Sequence, residues 1–263
     1  MLPLVDDLHA ALDTDRFGRP TRGFDACPST NAEAAAWARK GAPEGALVIA
    51  EHQTAGRGRL GRTWDDAPGQ NLLFSLVLRP SLPPHRLGLI TLAGGVAVAE
   101  AVAEWSAPVA PRIKWPNDVL LGGRKCCGML LESSLGADGF VVLGIGLNVN
   151  QDVFPPPLEE RATSLRLETG RLIPRVALLT AVLARLEHWT ARLAAGADAA
   201  LHEAFVARMI GLGEPAAVRL AGGGPPVEGV IEGVGTDGAL RFRTGNTVRT
   251  LHAGDVTFQP ASG

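Results

Sequence analysis

The sequence predicts an α+β protein in which a larger domain of helices and strands is followed by a small all-β domain. Three observations carry this. The chain has 263 residues, enough for one large domain or for one large and one small. Up to about residue 211, apolar runs of strand length are interspersed with long apolar stretches of helical spacing. From Gly213 the texture changes to short strands at 217–220, 227–234, 239–243, 248–251 and 256–258, with turns at Asp237-Gly238 and Gly245-Asn246. This last stretch suits a small barrel, SH3-like in scale. The expected organisation is an N-terminal segment 1–23, a main domain 24–211 and a C-terminal domain 212–263.

The elements follow in order. A helix is expected around 4–12 and an edge strand at 24–27. Thr30-x-x-Glu33 has the form of a capping box opening an Ala-rich helix over 31–40. Ser29, Thr30 and Asn31 then sit at a helix N-terminus, where they either cap the helix or bind a polar or anionic group. Strands are expected at 47–53 and 71–79, and a long apolar helix at 87–105 whose Gly94-Gly95 permits close packing. Arg112 to Trp115 alternates as a strand end before Pro116, with Asn117 and Asp118 just beyond. Gly122-Gly123 turns the chain into a returning strand over 124–132. Lys114 and Lys125 are thereby expected on paired strands, as functional groups or as solvated strand residues. A buried strand at 140–145 runs into Gly144-Ile145-Gly146-Leu147-Asn148, whose small residues let something rest on the backbone. Helices at 163–168, 174–193 and 198–210 carry no clustered polar residues and are expected to be scaffold.

Composition narrows the function. Hydrophobic residues make up 46% of the chain and the formal net charge is −2. There is no long run of one sign, so a dedicated nucleic-acid binder is disfavoured. The three cysteines, Cys27 and the adjacent Cys126 and Cys127, fit neither a disulfide framework nor a zinc spacing. A reducing, cytoplasmic setting is expected. Asp6 and Asp7 stand where a signal sequence would be basic, and residues 87–99 fall short of the ~18 apolar residues of a membrane span. No membrane association is expected.

The most informative stretch runs over 51–64. Gly56, Gly58 and Gly61 alternate with Arg57, Arg59 and Arg62 before Trp64. Glycines permit tight turns and close approach, and guanidinium forks match phosphate or carboxylate. The Gly-x-Gly-x-x-Gly spacing fails as a dinucleotide fingerprint, because Pro68-Gly69 interrupts any following helix and no acid lies between Pro68 and Pro84. Nothing here ends in Gly-Lys-Ser or Gly-Lys-Thr, which removes the P-loop. A solvated basic turn is the plain alternative.

Three arginines, two lysines and several Asn, Gln and Thr groups therefore gather near strand ends and a helix start, with no Ser-His-Asp order, metal-spaced His cluster or carboxylate pair. Donors and positive charge outnumber bases, which suits stabilising developing negative charge rather than abstracting protons. Joining a carboxylate to ATP is such a reaction.

Gly56 to Trp64, Lys114-Trp115-Pro116-Asn117-Asp118 and Gly144 to Asn148 together resemble the biotin protein ligase family, as do Ser29-Thr30-Asn31, Gln53 and Lys125 followed by Gly128. Order and spacing match over about 24–150, and the small β-domain matches the family's C-terminal domain. The resemblance implies a mixed sheet with helices, related to class II aminoacyl-tRNA synthetases and lipoyl ligases. It implies that biotin and MgATP form biotinyl-5′-AMP and pyrophosphate, and that biotin then passes to a lysine of a carboxylase's biotin carboxyl carrier protein or domain. By similarity, Ser29, Thr30, Asn31, Gln53, Arg57, Gly58, Arg59, Lys125, Gly128, Met129, Leu130, Gly144 and Gly146 would hold biotin. Arg59 and Lys114 would neutralise the reacting groups. Trp64, Asn117 and Asn148 would contact the adenylate and Arg62 the departing phosphates. Asp118 would orient Lys114 or meet the incoming lysine. The glycine–arginine loop would fold over the ligands and exclude water.

Residues 1–23 are too short for the DNA-binding domain that some members carry, so no operator binding is expected. Members can pair as homodimers through sheet edges, and no patch here decides this. Cys126-Cys127 departs from the small or apolar residues expected after Lys125; both are compatible with a buried strand, where Cys acts as a small hydrophobe, and the alternative, a thiol exposed in the biotin pocket, would make the enzyme oxidation-sensitive. A lipoate or octanoate ligase of the same fold, a biotin-sensing regulator without turnover and an RNA-binding protein are the competing readings.

Overall fold

The computed structural model describes residues 3–134, 136, 139–220 and 224–258. Seven strands form the main sheet: β1 (Thr21–Phe24), β2 (Leu47–Ala50), β3 (Leu72–Leu78), β4 (Arg112–Lys114), β5 (Asp118–Leu121), β6 (Arg124–Ser134) and β7 (Phe140–Leu147). Their spatial order is β1-β2-β3-β7-β6-β5-β4. β1 and β2 are parallel and all other neighbours antiparallel, so the sheet is mixed. Helix α2 (Thr30–Arg39) makes the crossover that the parallel pair requires.

The strands alternate their side chains between two faces. Ile49, Phe74, Leu143 and Ile145 belong to a large core with α1 (Pro3–Ala11), α3 (Gly88–Ser106) and α5 (Arg175–Ala194). Val48, Val77 and Val142 instead pack with Ala34 and Ala38 of α2. Ser75 and Gly144, partners in register, lie on this second face against Asn31. The functional groups gather on this α2 side. Leu4, Val5 and Leu8 of α1 are buried, so the segment before residue 24 is packed into the core.

Helix α3 is apolar nearly all round. By length and composition the segment Pro84–Ser106 could cross a membrane, which corrects the reading that no stretch is long enough; most of it is buried inside the fold. Gly94 and Gly95 let it approach Met129 and Ile113 closely. Short α4 (Leu165–Thr169) and α6 (Asp198–Val206) complete this layer.

β8 (Pro215–Arg219), β9 (Val227–Val234), β10 (Leu240–Thr244), β11 (Thr247–Leu251) and β12 (Asp255–Phe258) form a second, five-stranded antiparallel sheet ordered β11-β10-β9-β8-β12. Trp115, buried, donates from Nε1 to the Gly238 carbonyl at 3.0 Å and ties this sheet to the main one.

Several expectations are corrected. The first strand is Thr21–Phe24, not 24–27, and Cys27 makes only an isolated bridge to Gln53. β2 stops at Ala50. Helix α6 ends at Val206 because the residues that follow pair with β4 instead. Ile113 N–H donates to the Arg208 carbonyl and Ile210 N–H to the Ile113 carbonyl, each at 2.9 Å, covering the outer edge of β4. Lys114 and Lys125 are not on paired strands, since β5 lies between β4 and β6. The capping box does not form. Ser29 is the N-cap, without a side-chain cap bond, and Thr30 is already helical with its hydroxyl committed elsewhere.

Candidate active site

The start of α2 meets the middle of the sheet through buried polar groups. Thr30 donates from its amide and its hydroxyl to Gln53 Oε1, at 2.8 and 3.1 Å. Ser75 Oγ lies 2.8 Å from Thr30 Oγ1 and 2.7 Å from Asn31 Oδ1. Asn31 Nδ2 donates to the Leu130 carbonyl at 3.3 Å and to Glu132 Oε2 at 2.7 Å. At the other end, Asp66 accepts from the Gln53 backbone N–H at 3.2 Å and contacts His52 Nδ1 at 2.8 Å. A continuous network thus runs from Glu132 to His52. Networks of this kind hold each amide in one orientation.

The glycine–arginine stretch folds as a narrow hairpin. Trp64 N–H donates to the Gly56 carbonyl at 3.0 Å and Gly58 N–H to the Arg62 carbonyl at 2.7 Å. One 3₁₀ turn over Arg59–Gly61 forms its tip, with Leu60 in the left-handed region at φ 57°. Each arginine meets a different element. Arg57 contacts Glu132 of β6 at 2.9 Å, Arg59 contacts Asn117 Oδ1 at 2.8 Å, and Arg62 is ion-paired with Asp255 of β12. Burial lowers the pKa of Arg59 from its ordinary 12.5, with nearby Asp118 opposing the shift. A guanidinium so placed remains a cation at neutral pH.

Gly128 and Gly146 are cross-strand partners and form a flat platform. The Trp64 ring rests on it: a methyl group on Gly128 would meet the ring at 2.8 Å and one on Gly146 at 2.5 Å. The Lys125 ammonium stands 5.4 Å from the ring centroid, within cation–π range. It also lies 2.7 Å from Asp118 Oδ1. That oxygen makes no aligned hydrogen bond, so the contact is ionic.

These groups surround one small cavity of about 50 Å³, partly open to solvent. Ser29, Thr30, Asn31, Gln53, Arg57, Gly58, Arg59, Lys125, Gly128, Met129, Leu130, Gly144 and Gly146, all singled out from sequence, line it, together with Trp64, Asn117 and Ile145. Met129 does so through its backbone: its carbonyl accepts from Asn117 Nδ2 at 2.9 Å, while its sulfur faces Gly94 of α3. Lys114, Asp118, Arg62 and Asn148 lie outside the lining. Lys114 is half-buried at the end of β4, and its register partner is Asp118, yet the Asp118 carboxylate turns to Lys125 instead. Asn148 donates to the Thr163 carbonyl at 3.0 Å, and its Oδ1 is buried without a partner.

Ser75, Asp66 and Glu132 escaped the sequence reading. Ser75 is the one polar residue within the otherwise apolar Leu72–Leu78 run, and Glu132 falls four residues after Gly128, on the same strand face. Both signals were available. Of the two readings of the adjacent cysteines, the buried strand holds and the exposed thiol does not. Cys126 and Cys127 are fully buried, and burial pushes Cys126 up to about 12 and Cys127 well above the usual thiol range.

Residues 24–150 match the biotin/lipoate A/B protein ligase family model. The biotin–[acetyl-CoA-carboxylase] ligase of Mycobacterium tuberculosis is 39% identical, with 87% of this chain and 85% of that protein covered. The chain belongs to the biotin/lipoate A/B protein ligase family. Another relative, the bifunctional ligase/repressor of Bacillus subtilis, is 32% identical, with 95% of this chain and 77% of that protein covered. Among solved structures, the biotin protein ligase of Aquifex aeolicus in complex with biotin and ATP superimposes with a TM-score of 0.78. Identity is 28%, covering 92% of this chain and 99% of that one. The mixed α+β architecture is therefore that of biotin ligase structures.

Proposed function

We propose that this chain is a biotin protein ligase: it activates biotin with MgATP to biotinyl-5′-AMP and transfers the biotinyl group to a lysine of a carboxylase's carrier domain. The observation that carries this reading is the cavity in which an ordered polar floor meets Arg57, Arg59 and Lys125 beneath a hairpin cover. The names of relatives at 36–39% identity support it.

The chemistry follows from charge. A carboxylate is already ionised, so forming the acyl-adenylate needs no base. The barrier comes from bringing two anions together. Arg59 supplies a fixed cation at the cavity, and Lys114, at the end of β4 outside the lining, is the second cation of the scheme. Electrostatic preorganisation of this kind commonly contributes several kcal/mol to a barrier reduction. Trp64, Asn117 and Asn148 take the adenylate in this scheme, and Arg62 the departing phosphates. The hairpin then shields the mixed anhydride from water. In transfer, the carrier amine attacks the anhydride carbonyl and AMP leaves. Asp118 serves by holding Lys125 through their ionic contact, rather than by orienting Lys114.

Under the same reading, residues 24–211 form the catalytic unit after an N-terminal segment, and the five-stranded sheet from residue 212 is an SH3-like domain. A cytoplasmic location follows from the substrates.

The test is transfer. Purified protein, biotin, MgATP and a recombinant carrier domain are incubated, and the carrier is examined by mass spectrometry. A single biotinyl adduct on one lysine, absent without ATP, is expected. An adduct with lipoate but none with biotin would move the protein to the lipoyl branch.

A further inference from the structure

Glu132 receives no role from the scheme above, yet its carboxylate joins two parts of the site. Its Oε2 accepts from Asn31 Nδ2 at 2.7 Å and from the Arg57 guanidinium at 2.9 Å. Asn31 belongs to the cavity floor, and Arg57 to the hairpin above it.

The first contact fixes a direction. An Asn side chain has a donor end and an acceptor end of nearly equal size. A carboxylate only accepts. Both Asn31 amide hydrogens are directed to acceptors, one to Glu132 and one to the Leu130 carbonyl at 3.3 Å. Asn31 Oδ1 is then turned to Ser75 and to the bare backbone of Gly144. A glutamine at 132 could donate as well as accept, and would leave the orientation to the longer contact with the Leu130 carbonyl.

The second contact fixes a position. Arg57 flanks the first turn of the hairpin, and its backbone bridges to Thr63 on the opposite arm. Holding Arg57 to β6 therefore seats the near end of the hairpin over the cavity.

We infer that Glu132 is a positioning residue: it orients the Asn31 acceptor on the cavity floor and, through Arg57, latches the hairpin above it. This rests on the biotin ligase reading, and it assigns Glu132 to binding of the organic acid rather than of ATP.

The experiment measures biotin-dependent ATP–pyrophosphate exchange for the wild type, Glu132→Gln, Asn31→Ala, Arg57→Ala and the double variant Asn31→Ala/Glu132→Gln. Thermal melts report folding. Glu132→Gln is expected to raise KM for biotin about tenfold while KM for ATP stays within about twofold. In the Asn31→Ala background the same substitution should add less than about threefold. Arg57→Ala breaks the latch from its other end and should raise KM for biotin with the Asn31 contact intact. An unchanged KM for biotin, an equal rise for both substrates, or full additivity with Asn31→Ala overturns the assignment. Absence of exchange in the wild type rejects the ligase reading itself, which keeps the two failures apart.

Discussion

Gly144 stands opposite Ser75 in the sheet, and a methyl group there would collide with Asn31 Oδ1. Gly144→Ala should therefore cost function where an ordinary strand glycine would not. The expected result is at least a tenfold rise in KM for biotin, measured by exchange kinetics, with normal far-UV circular dichroism. The cysteines behave oppositely. Cys126 and Cys127 are fully buried and held as neutral thiols, so iodoacetamide at pH 8 should leave activity intact. Loss of activity on native-state alkylation would show that the thiols are reachable. The linkage has a definite sign. The Cys126 pKa rises from 9.0 to about 12, so the unfolded chain gives up its proton first. That stabilisation is complete below pH 9.0 and declines as pH rises toward about 12. Urea titrations of Cys126→Ala should show a shallower decline across that window than the wild type. At this scale the glycine–arginine motif, Ser29 to Asn31 and Lys125 were legible, because their residue types have few other uses in that pattern. The directions of side chains were not: Met129 offers the site its backbone, and Asp118 meets Lys125 rather than Lys114.

At the scale of elements, Ser75 lies wholly inside β3 and bridges two residues of α2. Ser75→Ala leaves Thr30 and Asn31 short of a partner. It should cost about 1–3 kcal/mol of stability in denaturant titration and weaken biotin binding in calorimetry. A stability unchanged within error would contradict the network. The hairpin is tied at its far end by Arg62 to Asp255 of β12. Asp255→Ala should lower exchange activity by about threefold to tenfold through looser seating of the hairpin, with a change of less than about 1 kcal/mol in stability because both groups are partly exposed. The capping box shows why local patterns mislead here. Thr30 and Glu33 have the right spacing, but Thr30 is drawn inward by Gln53 and Ser75, from elements 23 and 45 residues away. Such partners are invisible to a four-residue motif.

At the scale of the whole molecule, most elements and the change of texture near residue 212 could be read from apolar periodicity and turn residues. Strand order could not. The position of β5 between the two lysine-bearing strands is set by a hairpin pairing, and the cover on β4 comes from residues 208–210, nearly a hundred positions downstream. The two sheets are joined where function concentrates, at Trp115 with Gly238 and at Arg62 with Asp255. The most direct measurement of the central claim is exchange of labelled pyrophosphate into ATP, run with biotin, lipoate and octanoate on wild type and Lys114→Ala. Exchange with biotin, none with the other two acids, and a loss of about 100-fold or more in the variant are expected. Exchange driven by lipoate or octanoate but not biotin, or none with any acid, would contradict that claim.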